Sequence, residues 1–197
     1  MSRSPEIQAA AVRLFYEHGY NACSMKDIAR VVGMTPPSLY NYIDSKQKLL
    51  RDIMFEGIGL LTADFDSAVA KSDDVIEQLR LAAEALTWHN IHRQTQAYVN
   101  TVEIPSLEEP ARSQLIQRRR AYVRRWASLI ERGVAEGVVT APEPMLIAFN
   151  IVDLIAGLAR WYQPTGRWSE DALIEHYGQL ALHMLQCRQL VRQHGNI

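Results

Sequence analysis

The chain has little cysteine, little proline or glycine inside its patterned stretches, and no clear strand signal. Of its 197 residues two are cysteines, Cys23 and Cys187. They stand far apart with no metal-ligand spacing, which argues against a disulfide framework or a bound metal and predicts free thiols in a cytoplasmic chain. The 8 prolines and 10 glycines fall between helical runs, so an all-α fold is expected. No apolar run reaches membrane length, and the N-terminus lacks the core of a signal peptide. Internal repeats and low-complexity tracts are missing. So are a nucleophile elbow, a phosphate loop, a Cys-X-X-Cys pair and an HExxH helix, and neither an enzyme nor a cofactor is expected. Net charge is nearly absent too, at −1. Its distribution is uneven, however. Residues 1–51 hold seven Lys or Arg against four Asp or Glu, and residues 52–197 hold fourteen against eighteen, +3 against −4. That asymmetry favours nucleic-acid contact through the N-terminal part.

What is present is concentrated in Ser24–Leu49, SMKDIARVVGMTPPSLYNYIDSKQKL. Ser24 suits an N-cap, and Asp27 suits the first turn after it. Met25, Ile28, Ala29 and Val32 recur at helical spacing, so one face points inward. Gly33 stands where the helix must stop and a positive φ is needed. Thr35 caps the next helix, and Pro36 and Pro37 fit its first turn, whose N–H groups have no helical partner. Leu39 faces the core. Ser38, Tyr40, Asn41 and Tyr42 lie largely outside, where short polar and aromatic groups reach base edges and phosphates. Asp44 or Ser45 caps a third helix with Lys46 in its first turn, a place that attracts phosphate. Two short helices about a glycine describe a helix-turn-helix, residues 24–43, that lays its second helix in the DNA major groove.

In Phe15, Gly19, Tyr20, Ser24, Ile28, Ala29, Gly33, Leu39, Tyr40, Tyr42, Ser45, Lys46 and Leu49 the sequence resembles the TetR family of transcriptional regulators. The resemblance covers about the first quarter of the chain. It implies DNA contacts at Ser24, Thr35, Pro36, Ser38, Tyr40, Asn41, Tyr42 and Lys46. Ile43 stands where that family usually has Phe, a change that should only repack the core. Thr35-Pro36-Pro37 replaces the usual small residue, variable residue and Gly, and alters the detail of base contact. The resemblance implies a helix-turn-helix domain over residues 1–50 and an effector-binding and dimerisation domain over 51–197.

The rest reads as helices. Pro5–His18 turns Ile7, Ala10, Ala11, Leu14 and Phe15 inward. A long helix, Lys46–Ala70, leads out of the DNA-binding part. Further helices are expected at Val75–Leu86, Trp88–Val102, Ala111–Gly133, Met145–Tyr162 and Ser169–Arg192. The Met145–Tyr162 run is apolar on nearly every side, and such a helix must be buried on nearly every side. A chain of this size has too few helices to surround it. A homodimer in which the last two helices pair with their copies as a four-helix bundle solves this, and TetR-like regulators dimerise that way. Two recognition helices on a two-fold axis then read a pseudo-palindromic double-stranded operator.

Ala111–Gly133 places Leu115, Ile116, Arg119, Tyr122, Val123, Trp126, Leu129 and Ile130 on one face. Arg119 sits mid-stripe and needs a partner, either a structural carboxylate, with Glu103 and Asp153 available, or an anionic ligand. The other arginines of this helix form a solvated face or a rim for phosphates. Glu103, the arginine-rich helix, RGVAEGVV at Arg132–Val139 and Arg160-Trp161-Tyr162-Gln163-Pro164 resemble the TetR subgroup that often responds to acyl-coenzyme A thioesters. The residues that would then line an effector site are Trp88, His89, His92, Tyr98, Arg119, Tyr122, Trp126, Phe149, Asn150 and Asp153. Each is also an ordinary core residue type. His89 and His92 have no third ligand, so no metal is expected. The expected function is a ligand-responsive repressor. An architectural DNA-binding protein without an effector is the alternative, and an enzyme a more distant one.

Overall fold

The computed structural model describes residues 3–186. Every regular element among them is helical. α1 spans Ser4–His18, α2 Met25–Val31, α3 Pro36–Tyr40, α4 Lys46–Val69, α5 Val75–His92 and α6 Gln94–Val102. A 3-10 turn, Ile104–Ser106, precedes α7, Ala111–Ala135. α8 spans Pro144–Ala156, α9 Leu158–Trp161 and α10 Glu170–Met184.

The chain divides into two compact units. One joins the residues up to Gly59 with Thr95–Arg118, and the other joins Leu60–Gln94 with the residues from Arg119 on. The division expected at residue 50 falls inside α4. Leu49, Leu50, Ile53, Met54 and Ile58 are all buried along this helix.

In the first unit α1 buries Ile7, Ala10, Ala11, Leu14 and Phe15, the face that its 3.6-residue spacing predicts. α1 ends at Gly19, whose φ of +79° suits a residue without Cβ. Ile28, Ala29, Leu39, Leu49 and Leu50 form the centre of this core. α6 lies close against α4. A Cβ on Gly57 of α4 would fall 2.0 Å from Asn100 Nδ2 of α6. Gln96 and Asn100 of α6 donate side-chain N–H groups to the Ile53 and Met54 carbonyls of α4, each at 3.4 Å.

In the second unit α5 is the hub and packs on α8, α9 and α10. Leu79, Ala82, Ala83 and Leu86 of α5 are buried, as are Ala181, Leu182 and Leu185 at the end of the chain's last described helix. The approach of α10 to α5 is tight at Gly178, where a Cβ would meet Glu84 at 3.0 Å. α7 buries Tyr122, Val123, Trp126, Leu129 and Ile130, its expected stripe.

Three helix ends differ from expectation. α5 continues past Leu86 to His92, because Thr87, His89, Asn90 and Ile91 are also buried and prolong its inner face; it stops at Arg93. The expected helix 145–162 breaks at Gly157 into α8 and α9. α10 ends at Met184, capped at Leu185 and with Gln186 at φ +46°, short of the expected Arg192; residues 187–192, Cys187 included, lie outside the described residues. Cys23 is a free thiol, buried, with burial pushing its pKa up.

α8 is buried on one side only. Ala148, Ile151, Val152 and Ile155 face inward, while Leu146, Phe149 and Leu154 on α8 and Trp161 on α9 remain exposed. By length and composition Pro144–Trp161 also passes as a membrane span, with a mean hydropathy of 1.4, which corrects the expectation that no run is long enough. In the fold this stretch is two helices, α8 packed on α5 and α10, and α9 packed on α5.

Candidate nucleic-acid interface and effector region

The helix-turn-helix is framed by its own short polar residues. Ser24 Oγ accepts the Asp27 N–H at 3.3 Å, and Asp27 Oδ2 accepts the Ser24 N–H at 3.0 Å, a reciprocal cap on α2. The hydrogen bonds from Ser24 hold the Asp27 carboxyl below its ordinary pKa, helped by Arg30. Gly33 turns the chain at φ +65° with open space around it, so only backbone conformation requires a glycine there. Thr35 Oγ1 then accepts the Ser38 N–H at 3.4 Å and caps α3. Pro36 and Pro37 occupy its first turn, and Leu39 is fully buried beneath it. Ser45 Oγ accepts the Lys48 N–H at 3.0 Å, which settles the choice between Asp44 and Ser45 as the cap of α4.

This framing turns a polar surface outward. Thr35, Tyr40, Asn41 and Tyr42 are exposed, and Pro36 and Ser38 are half-buried. Tyr40 is 52% and Tyr42 45% exposed, uncommon for tyrosines with no structural need to be wet. Ile43 is buried, as its core role requires. Ser24 is exposed but already engaged as a cap. Lys46 is half-buried. Its ammonium donates to the Tyr20 carbonyl at 2.9 Å and to the Cys23 carbonyl at 2.8 Å. These bonds tie α4 to the corner between α1 and α2, a use of the lysine that helix periodicity does not show.

The ten residues expected at an effector fall into separate groups. Tyr98 belongs to the first unit and packs edge-on against Tyr16, with ring centroids 5.0 Å apart. In the second unit, Trp88, His89 and His92 gather at the end of α5. His89 is buried, and its Nδ1 meets Asp64 Oδ2 at 2.6 Å; Arg93 donates to the same oxygen at 2.9 Å. Burial lowers the His89 pKa, and the hydrogen bond and charge of Asp64 only partly oppose it. The neutral ring therefore donates Nδ1–H to the carboxylate. Trp88 stacks on His92 with centroids 4.5 Å apart, and His92 Nε2 meets Glu170 Oε1 at 2.6 Å. Asp64, Arg93 and Glu170 were not legible as parts of this cluster, because 78 residues separate His92 from Glu170.

Tyr122 and Trp126 form a buried aromatic cluster with Phe65, at centroid distances of 5.9 and 5.3 Å. Burial raises the Tyr122 pKa above the ordinary phenol value. The buried Trp126 indole N–H reaches no acceptor at hydrogen-bond geometry. Phe149, Asn150 and Asp153 are exposed on α8 and do not join these rings; the outward half of α8 carries them. Asp153 supplies the negative charge that favours the protonated form of Arg119, against the larger effect of burial. The oxygens of Glu103, the other carboxylate expected near Arg119, accept from the Tyr20 N–H and the Ser106 Oγ–H.

A groove of about 470 Å³ runs beside the aromatic cluster, lined by Phe65, Asp66 and Val69 of α4 and by Arg124, Arg125, Leu129 and Arg132 of α7. Arg125 bonds to Asp66 at 2.6 Å. Arg132 hydrogen-bonds Gln78 and lies 3.5 Å from Glu136. Arg124 is exposed. The groove thus sets Phe65, Val69 and Leu129 beside three guanidinium groups. Among the described residues, no group of three or more His, Cys, Asp or Glu could hold a metal ion.

Comparison with known proteins agrees with this geometry. Residues 7–53 match the family of bacterial regulatory proteins of the tetR type, and residues 72–185 match the tetracyclin repressor-like C-terminal domain. The transcriptional repressor KstR2 of Rhodococcus jostii is 27% identical over 187 residues, which cover 91% of this chain and 89% of that protein. A TetR-family regulatory protein from Rhodococcus RHA1 superposes with a TM-score of 0.89 at 24% identity, over 95% of this chain and 98% of the other. AibR, solved with isovaleryl coenzyme A and operator DNA, superposes with a TM-score of 0.84 at 23% identity, over 94% of this chain and all of the other. The framed helix-turn-helix followed by a matched C-terminal domain over more than half its length shows that this chain belongs to the TetR family of DNA-binding transcriptional regulators.

Proposed function

We propose that this regulator is a repressor that binds a pseudo-palindromic operator as a homodimer and is released by a small effector carrying both apolar and anionic parts, an acyl-coenzyme A being the leading example. The exposed Tyr40-Asn41-Tyr42 face on a rigidly capped helix-turn-helix carries the DNA-binding half of this reading. Thr35, Pro36 and Ser38 share that surface, and Ser24 and Lys46 stand at its helix N-termini. The wet apolar stripe of Leu146, Phe149, Leu154 and Trp161 supports pairing of the last helices across a two-fold axis, since so large a patch is uncommon on a monomer. The groove at Arg124, Arg125 and Arg132 supports the effector class: guanidinium groups suit phosphates, and the apolar Phe65, Val69 and Leu129 suit an acyl chain. AibR was solved with such a thioester, and KstR2 is named a repressor. The protein would act in the cytoplasm, where its DNA lies.

Release needs only that the effector bind one dimer geometry better than the other. α4 leads from the helix-turn-helix into the second unit and is the natural lever. The test is fluorescence anisotropy with a labelled duplex selected from random-sequence DNA on the purified protein, against a scrambled duplex, with and without a panel of acyl-coenzyme A thioesters. Specific binding that a thioester releases supports the whole reading. Specific binding that none of them changes removes the effector class and keeps the regulator.

A further inference from the structure

Glu103 follows α6 and is only 8% exposed, a costly place for a carboxylate unless its oxygens are satisfied. Both are. Oε1 accepts the Tyr20 backbone N–H at 3.0 Å, and Oε2 accepts the Ser106 hydroxyl at 2.6 Å. Tyr20 stands in the corner between α1 and α2, where backbone groups have no helical partner and must find one elsewhere. Its N–H finds Glu103, and its carbonyl finds Lys46. The Cys23 carbonyl finds Lys46 as well. The Tyr20 ring covers the same ammonium at 4.0 Å.

The other end of Glu103 is anchored equally firmly. Ser106 closes a turn onto the Glu103 carbonyl at 3.0 Å. Gln47, next to Lys46 in the first turn of α4, donates to the Ser106 carbonyl at 2.8 Å and accepts the Glu108 N–H at 3.2 Å. The hydrogen bonds form a closed circuit through three segments of the first unit: the α1–α2 corner, the start of α4, and the link from α6 to α7. Ser24, the N-cap of α2, lies four residues beyond Tyr20, so the seating of this corner decides where the helix-turn-helix begins.

We propose that Glu103 is a positioning residue for operator recognition, its carboxylate tying the α1–α2 corner to the α6–α7 link, which Gln47 holds on the first turn of α4, and so setting the angle at which α2 and α3 meet DNA. This rests on the DNA-binding reading above. Glu103 touches no DNA itself. Its loss therefore lowers sequence-specific affinity, which depends on the angle, and spares non-specific affinity, which depends on phosphate charge.

The experiment uses the full-length protein, the selected duplex and its scrambled control, each titrated across salt. Glu103→Ala is expected to lose about tenfold in affinity for the selected duplex, the effect of one charge-assisted hydrogen bond, with the scrambled duplex and the salt slope unchanged. Glu103→Gln keeps an oxygen for the Tyr20 N–H and is expected to stay within about threefold of wild type. Hydrogen exchange at the Tyr20 amide should accelerate in Glu103→Ala and recover in Glu103→Gln. Should Glu103→Ala fail to fold, Ser106→Ala, which frees one carboxylate oxygen only, is expected to show the same pattern at about threefold. The proposal is overturned if Glu103→Ala, or Ser106→Ala in its place, binds the selected duplex as wild type does. It is also overturned if both duplexes weaken equally with a shallower salt slope. A wild-type protein that selects no preferred duplex would defeat the DNA-binding reading and this inference together. A wild type that selects one while the variants bind it unchanged defeats this inference alone.

Discussion

Lys46 gives its ammonium to Tyr20 twice, 2.9 Å from the carbonyl and 4.0 Å above the ring. A lysine placed by sequence among the DNA contacts is therefore also part of the scaffold that shapes them. Tyr42, four residues before it, has no such duty: its side chain is exposed.

Tyr42→Ala should weaken operator binding by about tenfold with no change in melting temperature, since only an interface side chain is removed. Lys46→Met should weaken it too, but at a cost of about 1.5–3 kcal/mol in stability, because two buried carbonyls lose a charged donor. Anisotropy and thermal melts on the two variants decide the matter. Equal melting temperatures for Lys46→Met and wild type would show that the internal bonds contribute nothing.

Stability should depend on pH through His89. Burial lowers its folded-state pKa below the ordinary 6.5, so below that value the unfolded chain binds more protons than the native one. The stabilisation is complete above about pH 7 and declines as pH falls through about 6.5 and below. His89→Asn retains a donor for Asp64 and loses the titration. Its melting temperature should be lower at neutral pH and fall less between about pH 7 and 5. Parallel curves for variant and wild type would exclude His89 as the source.

Two glycines in helices should respond oppositely to alanine. Gly59 in α4 is exposed with nothing within 4 Å of its missing Cβ. Gly59→Ala should therefore stabilise by about 0.5–1 kcal/mol, the ordinary helix preference. At Gly133 a Cβ would lie 2.8 Å from Val139 Cγ2 and 3.2 Å from its Cβ, and a branched buried side chain cannot swing aside. Gly133→Ala should destabilise by about 1–3 kcal/mol. Chemical denaturation of both variants gives the signs directly.

The apolar stripe on α8 is testable by mass. Wild type should run by light scattering at twice the 22.4 kDa of the chain. Leu146→Arg places a charge at a side chain 58% exposed in the single chain, so the fold should survive by circular dichroism while the dimer does not. Operator affinity should fall by more than about tenfold with the loss of the second half-site. A wild-type protein of single-chain mass would end the dimer reading.

The sequence by itself determined the helices and the exposed polar surface of the helix-turn-helix. Ser24 and Thr35 as caps, Gly33 at the turn, and Leu39 inward are local matters, settled by interactions three or four residues apart. The stripe of α7 was equally plain, because helical periodicity is local too. The tertiary structure alone decided what depends on distant residues. It brought the Asp153 charge to bear on Arg119, and gave Glu103 a backbone N–H 83 positions away. It dispersed the expected effector residues among an α5 cluster, an aromatic core and the outer side of α8. It joined α6 to the first unit although its sequence follows α5. A side chain's hydrogen-bonding capacity is written in the sequence, but the partner that satisfies it is fixed by which surfaces the packed helices bring together.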